Sequence, residues 1–503
     1  MKSNRLLTGL LFAVASIAAA QTAPKPSVDH PAPVTATPST KTAVPSAVPP
    51  ASWQDLKFPK LPEIKIPNIE QTTLPNGMKV YLLENHELPL VRGSALIRTG
   101  NLFDPADKVG LASVTGDTIR SGGTSKLTGD QIDVELENIA ASVESQISES
   151  NGTVAFSTLK ERTDEVLGIF HDVLTDPAFR ENKIDLWKAQ ENSAIERRND
   201  EPQGITAREF SNIIYGRDNS YGWMIEHQTV KNITRQDIVD FYKRYYFPAN
   251  IILAIQGDFS APEMKAKIEK LFGDWNYTQP AVPAFPKVTN QAKAGVYLAA
   301  KTDVTQSSFA MGHLGGEFRD KDYPALEVMA DILGGGFHSR LFREVRSRLG
   351  YAYDVGAGWG ANYDHPGIFE IEGSTKSPTT IQTLQAVEKE VSRIRGEEVT
   401  EEEVKSARDT VLNGFIFAFD TPSKTLNRLV RYTYYGYPDD FLFQYQKAIG
   451  KVTREDVLRV AKQYLDPSKF VIVVTGNPKD FGASLNTLEL PVSNIDLSIP
   501  PAK

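Results

Sequence analysis

The sequence predicts an α+β protein built from two homologous mixed α/β halves, and three observations carry that reading. First, the passage ITRQDIVDFYKRYYFPANIILAIQGD (233–258) recurs 219 residues later, without a gap, as VTREDVLRVAKQYLDPSKFVIVVTGN (452–477). Thr234, Arg235, Asp237, Tyr245, Pro248 and Gly257 coincide with Thr453, Arg454, Asp456, Tyr464, Pro467 and Gly476. Second, each copy stands at the end of a block that opens with strand-like runs and passes through several helical patterns, the grammar of layered α+β domains. Third, a Pro-rich passage, 279–287, separates the blocks.

Taken in order, the chain begins with Lys2 and Arg5, an apolar run from Leu6 to Ile17, and Ala18-Ala19-Ala20 before Gln21. That is the pattern of a secretory signal over 1–20, with an uncleaved anchor as the alternative. Residues 21–67 are rich in Pro, Ala, Thr, Ser and Val and read as a disordered or extended linker. Pro75-Asn76-Gly77 is a turn signal. Strands are expected at 79–83 and 91–98, a half-exposed one at 142–148, and in the second block at 295–300 and 307–313. Thr234 with Asp237, and Thr453 with Asp456, are capping-box-like helix starts; each helix stops near a proline and leads into an apolar strand ending in glycine. The stretch GGGFHSRLFREVRSRLGYAY (334–353) opens with three glycines, continues with a helix face made of Leu341, Phe342, Val345 and Leu349, breaks at Gly350, and enters a strand at 352–359.

The chain has 503 residues, 41% hydrophobic and 23% charged, ordinary for a globular protein of more than one domain. A formal net charge of −8 argues against nucleic acid as a partner. There is no cysteine, so no disulfide, and core burial must hold the fold. No apolar run after the signal reaches membrane length.

The stretch 334–353 resembles the second half of the pitrilysin and mitochondrial-processing-peptidase family, in which a glycine-rich turn and a helix beginning Ser-Arg-Leu precede an Arg and a Tyr seven residues apart. Arg346 and Tyr353 match that pair. The resemblance covers residues 74–481 and implies the pitrilysin/LuxS-like metallohydrolase fold, two halves closed as a clam shell, with the Arg/Tyr pair reaching a peptide held at a zinc site. Active members carry His-x-x-Glu-His on a helix. Two His one turn apart share a face, the Glu is the general base, and a third ligand, a Glu, follows 75–80 residues later; zinc then keeps an open position for water.

This chain departs from that pattern in its first half. The matching segment is GLASVTGDTIRSGGT (110–124), with Ser113, Gly116 and Asp117 at the motif positions. The third ligand should fall close to Ala194, with Glu191 and Glu196 nearby. The seven histidines, His30, His86, His171, His227, His313, His338 and His365, include no pair three to five residues apart. Too few ligands remain for a tetrahedral zinc site on this chain. In the family, a strand near 142–148 pairs with the bound peptide by strand addition.

Composition and the resemblance together give this division: signal 1–20, linker 21–67, a peptidase-like half without the zinc motif 68–278, an interdomain linker 279–292, a half carrying the Arg/Tyr pair 293–490, and a tail 491–503. The functional expectation is a secreted, periplasmic, non-catalytic subunit of a two-chain peptidase. It binds no cofactor itself, a homologous partner brings zinc, and Arg346 and Tyr353 bind the peptide or unfolded substrate. Two alternatives stand beside it: a non-enzymatic scaffold or peptide-binding module of the cell envelope, and a self-sufficient metallopeptidase with an atypical site around Asp117.

Overall fold

The computed structural model describes residues 67–502, so the expected signal and nearly all of the first linker lie outside the described residues. The first half runs β1 (Glu70–Thr73), β2 (Lys79–Glu84), β3 (Leu90–Ile97), α1 (Leu111–Ser121), α2 (Gly129–Asn138), β4 (Ser142–Ile147), β5 (Gly152–Leu159), α3 (Thr163–Thr175), α4 (Glu181–Arg197), α5 (Pro202–Tyr215), α6 (His227–Asn232), α7 (Arg235–Tyr245), β6 (Ile251–Gly257) and α8 (Ala261–Phe272). The second runs β7 (Gly295–Ala300), β8 (Gln306–Leu314), β9 (Gly316–Glu317), α9 (Tyr323–Gly334), a π-helical segment (Phe342–Arg348), β10 (Ala352–Trp359), β11 (Ala361–Asn362) and β12 (Ile368–Lys376). It closes with α10 (Thr380–Gly396), α11 (Glu401–Ile416), α12 (Pro422–Tyr435), α13 (Phe441–Ile449), α14 (Arg454–Tyr464), β13 (Val471–Gly476) and β14 (Val492–Asn494).

The expected repeat is a structural one. The sheets have strand orders β1-β2-β6-β3-β5-β4 and β10-β12-β8-β13-β7-β14; read in reverse, the second matches the first in five strands, while the edge strands differ, β1 running antiparallel to β2 and β14 parallel to β7. In each, the strand that closes the repeat, β6 or β13, lies parallel to the first long strand and antiparallel to the next. Both capping boxes form: Thr234 and Thr453 each accept from the main-chain N–H three residues on, and Asp237 and Asp456 each reach back to the cap N–H. Segment 491–503, set apart as a tail, supplies β14 at the edge of the second sheet.

Each half has its own core between its sheet and its own helices. The outer face of each sheet is covered from across the molecule. Phe210 and Ile214 of α5 pack on Ala310, Val471 and Val473 of the second sheet. Leu426 and Val430 of α12 pack on Tyr81, Leu83, Ile252 and Ala254 of the first. Hydrogen bonds follow the same exchange. Thr206 of α5 donates to Thr475 of β13 at 2.7 Å, and Gln256 of β6 donates to Ser423 of α12. Central strands covered on both faces read as unbroken apolar runs, which is why 251–255 and 471–474 lack alternation.

Phe210 is 1% exposed in that exchanged contact. Phe210→Ala should lower stability by about 3–5 kcal/mol, read from urea denaturation; a loss below about 1 kcal/mol would mean that α5 does not hold the halves together.

Candidate functional site

The helix that bears the degenerate motif is α1. Asp104 fixes its start by accepting from the main-chain N–H groups of Gly110 and Ala112, both at 2.8 Å, and Gly110 takes φ 104°, open to glycine. One turn in, the Ser113 hydroxyl donates to Asn101 Oδ1 at 3.3 Å. Gly116 lies against the edge strand β4, and a Cβ built there would collide with the main-chain N of Ile147. Around it, Ser145 Oγ donates to the Gly116 carbonyl at 2.6 Å, and Arg120 Nε donates to the Val143 carbonyl at 2.8 Å. Close helix–strand approach therefore requires glycine at 116. Arg120 also already takes a main-chain carbonyl of the strand to which strand addition was assigned.

Asp117 lies on the side of α1 toward α4, solvent-accessible yet flanked by Trp187 and Glu191. Burial raises the Asp117 carboxyl above its ordinary range, against a hydrogen bond from Trp187. Burial, and then the Asp117 charge, raise Glu191. Ala194, expected nearest the third-ligand position, is exposed on α4. Glu196 faces away and pairs with His227 Nε2 at 2.9 Å. The helical face that carries Trp187 thus presents Glu191, one turn before Ala194. Among the described residues, no three His, Cys, Asp or Glu side chains converge where they could hold a metal ion. A hydroxyl, a glycine and two carboxylates do not fit a catalytic zinc, which takes three protein ligands.

Arg346 and Tyr353 are brought together. The Arg346 guanidinium carbon lies 4.7 Å from the Phe342 ring centre and 5.7 Å from that of Tyr353, cation–π distances. Two irregularities create this. Residues 342–348 form a π-helix rather than the α-helix read from periodicity, with Leu349 N–H donating to the Glu344 carbonyl at 3.0 Å. Leu341 and Val345 still face the core. Then, between Ala352 and Asp354, the β10–β12 register shifts in a bulge that throws Tyr353 out of the sheet to 77% exposure. Phe337, 79% exposed, packs edge-on against Phe342 at 4.9 Å. Among the described residues no carboxylate pairs with Arg346, whereas its neighbour Arg348 is tied to Glu344 as the i,i+4 spacing predicts. The turn before the helix is anchored from beneath. Buried Arg340 makes a two-point ion pair with Glu403, at 2.7 and 3.1 Å, and Glu403 also caps α11 with Thr400. Burial alone would raise the Glu403 carboxyl, but Arg340 and the Thr400 N–H outweigh it and hold it at about 2. The Thr400-x-x-Glu403 spacing carries a capping-box signal that the sequence reading did not use; nothing local marks its arginine partner.

Sheet order, exchanged helices and the Arg/Tyr geometry define a two-half clam shell of the zinc-peptidase type. The profile described as "Insulinase (Peptidase family M16)" matches residues 79–221, and that described as "Peptidase M16 inactive domain" matches 232–411; the chain belongs to the M16 peptidase family. It is 23% identical over 368 residues to "Uncharacterized zinc protease YmxG" of Bacillus subtilis, covering 72% of this chain and 87% of that one. It is 24% identical over 436 residues to a "Probable mitochondrial-processing peptidase subunit beta" of Arabidopsis thaliana, 83% and 80% covered. A Helicobacter pylori relative called "Non-peptidase homolog YmxG" is 22% identical over 415 residues, 80% and 93% covered. Among solved structures, a peptidase M16 inactive domain from Pseudomonas fluorescens superposes with TM-score 0.73 at 22% identity over 82% of this chain and 98% of that one. The periplasmic protease PqqL from Escherichia coli gives 0.69 at 15%, with 87% and 49% covered.

Two glycines on neighbouring helices test the α1–β4 contact. Gly168 in α3 has open space around a built Cβ, so Gly168→Ala should gain about 0.5–1 kcal/mol from helix propensity. Gly116→Ala should instead lose about 1–3 kcal/mol to overpacking, and Gly116→Glu more. Calorimetric melts that place both alanine variants above the parent would refute the contact.

For Glu403 the folded pKa is depressed, so its stabilisation is full above about 4.5 and disappears as pH falls toward 2. Allowing for solvent screening, about 1–2 kcal/mol should be lost across that window. Glu403→Gln should abolish that part of the acid sensitivity, as read from melting temperatures at stepped pH.

Proposed function

We propose that this chain is the non-catalytic subunit of a two-chain zinc metallopeptidase, exported to the periplasm. A homologous partner holds the zinc and hydrolyses the peptide or unfolded segment; this chain binds the substrate through Arg346 and Tyr353. The observation that carries the reading is the asymmetry between the halves. At 342–353 a π-helix and a bulge, both departures from regular structure, hold a guanidinium that has no carboxylate partner among the described residues against an exposed phenol. At 113–117 the middle motif position, Gly116, is packed against β4, and Ser113 is bonded to Asn101. Such irregularities tend to gather at functional sites. Guanidinium N–H and phenol O–H donate to a substrate carbonyl and more strongly to the oxyanion that forms from it. The partner's zinc would supply the activated water. The relative from Arabidopsis is itself called a subunit. The charged start and apolar run of 1–20 support export, and the fold is shared with a periplasmic protease.

The second reading is a non-enzymatic scaffold or peptide-binding module of the envelope. The closed α1–β4 contact favours it, as does the relative called a non-peptidase homolog. The self-sufficient enzyme would need more donors than Asp117 and Glu191 offer.

The deciding experiment captures the tagged chain from its native envelope and assays the complex. A stoichiometric zinc-bearing partner and peptide cleavage by the pair are expected. Arg346→Ala should lower kcat/KM about 100-fold or more, and Tyr353→Phe less, with the zinc content of the complex unchanged. Full activity in the Arg346→Ala complex would remove the assigned role, and a stable assembly with no hydrolytic partner would favour the scaffold.

A further inference from the structure

The segment between the halves, 279–292, does more than connect them. Its residues 284–288 line a pocket of about 420 Å³ together with the loop 363–366, between β11 and β12. Both linings are pinned by tyrosines from one place. Tyr215, the last residue of α5, donates to the Pro366 carbonyl at 3.1 Å, and Tyr221, just beyond α5, donates to the Pro286 carbonyl at 3.0 Å. Tyr437 and Arg319 both donate to the Tyr363 carbonyl, at 3.0 and 3.1 Å. A pocket whose walls are held this way is formed before any ligand arrives, which lowers the ordering cost of binding.

The charged groups of the pocket divide by what they already hold. The Arg98 guanidinium carbon lies 4.3 Å from the Phe285 ring centre, and Arg98 donates to the Pro283 carbonyl at 3.4 Å. Arg319 pairs with Glu317 at 3.3 Å. Two groups stay open. Among the described residues the Lys287 ammonium has no hydrogen-bond or ion-pair partner. The Asp364 side chain is 7% exposed, and its Oδ2 accepts no hydrogen bond. Its other oxygen is taken. Asn362 Nδ2 donates to His365 Nε2 at 2.8 Å, which places the ring proton on Nδ1, where it donates to Asp364 Oδ1 at 3.1 Å. The imidazole is buried, with the Tyr221 ring centre 4.1 Å away. A buried carboxylate oxygen without a donor carries an uncompensated desolvation cost, and the Asp side-chain χ2 torsion is soft enough to turn it toward a ligand. Open charges of both signs thus line one pocket, beside the rings of Phe285, Tyr363 and Tyr435, the last two stacked 5.1 Å apart.

We propose that this pocket binds a small zwitterion with an apolar body, the chemistry of a free amino acid or a dipeptide. The ligand's ammonium meets Asp364, its carboxylate meets Lys287, and its apolar part lies along the rings. Its volume is that of a small-molecule pocket. Charge-assisted hydrogen bonds at both ends select against peptides blocked at either terminus and against the interior of a long chain, which carries neither terminal charge. Arg346 and Tyr353 do not line this pocket, and the proposal stands without the peptidase role.

The test is isothermal titration calorimetry of the full chain with phenylalanine and with the dipeptide leucyl-phenylalanine. Saturable binding of at least one is expected, weakened about 10-fold or more by N-acetylation and by C-terminal amidation. Binding of only one of the two supports the proposal and fixes the ligand's length. Two variants, each first shown to be folded by circular dichroism, then assign the ends. In Lys287→Gln, amidation should no longer weaken binding while acetylation still does; in Asp364→Asn, the reverse. Lys287 is exposed, so its variant keeps the fold, and it alone decides should Asp364→Asn fail to fold. No saturable binding of either compound overturns the proposal, as does a response to amidation that is the same in Lys287→Gln as in the parent.

Discussion

Two sheets with two apolar faces each, all four of which must be covered, impose the constraint from which the architecture follows. The solution is exchange: α5 leaves its own half to cover the second sheet, and α12 returns the favour on the first. Because β6 and β13 lie at the centre of their sheets, the exchanged helices land on the strands that are most thoroughly buried. The hydrogen bonds Thr206–Thr475 and Gln256–Ser423 fall at equivalent places in the two interfaces, so the pseudo-symmetry of the repeat is also a symmetry of the joint. Separating the halves would expose both outer faces at once.

Within that symmetric frame the two halves have diverged where helix meets edge strand. In the first half α1 closes on β4 through Gly116, and polar groups of both elements are spent on each other. In the second, Gly334 at the end of α9 makes a similarly close approach to the main chain of β10 at Ala357. The chain after it then does something different. It widens into a π-helix, leaves through Gly350 at φ 66°, and bulges at Tyr353. Irregular backbone persists only where surrounding structure over-determines it, and the Arg340–Glu403 pair beneath the turn, with Leu341 and Val345 in the core, supplies that support. One half has thus spent its polar groups on packing while the other keeps a guanidinium and a phenol facing outward.

Much of this was written plainly in the residues. The repeat at 233–258 and 452–477 is a local matter of cap, periodicity, proline and glycine, and it became the same helix, stop and strand in both halves. The strand read at 352–359 and that at 295–300 appear with those bounds, and the loss of His and Glu at 113, 116 and 117 needs only reading. Spacing along the chain does not show that Glu191 comes beside Asp117 on the face of α4 that carries Trp187; Ala194, two turns after Trp187 on that same face, is exposed. The helix at 341–349 was found, but its π form was not, because Leu341 and Val345 sit on the core side of either helix.

By itself, then, the sequence determined the class, the duplication and the absent zinc ligands, because each is carried by residues close together in the chain. Only the tertiary structure decided that each half's outer sheet face belongs to the other's helix, that Gly116 is held by packing, and that Arg346 and Tyr353 meet. The first depends on surfaces more than 100 residues apart, the second on a helix and a strand about 30 residues apart, and the third on a register shift of one residue in a strand, and none leaves a local pattern to read.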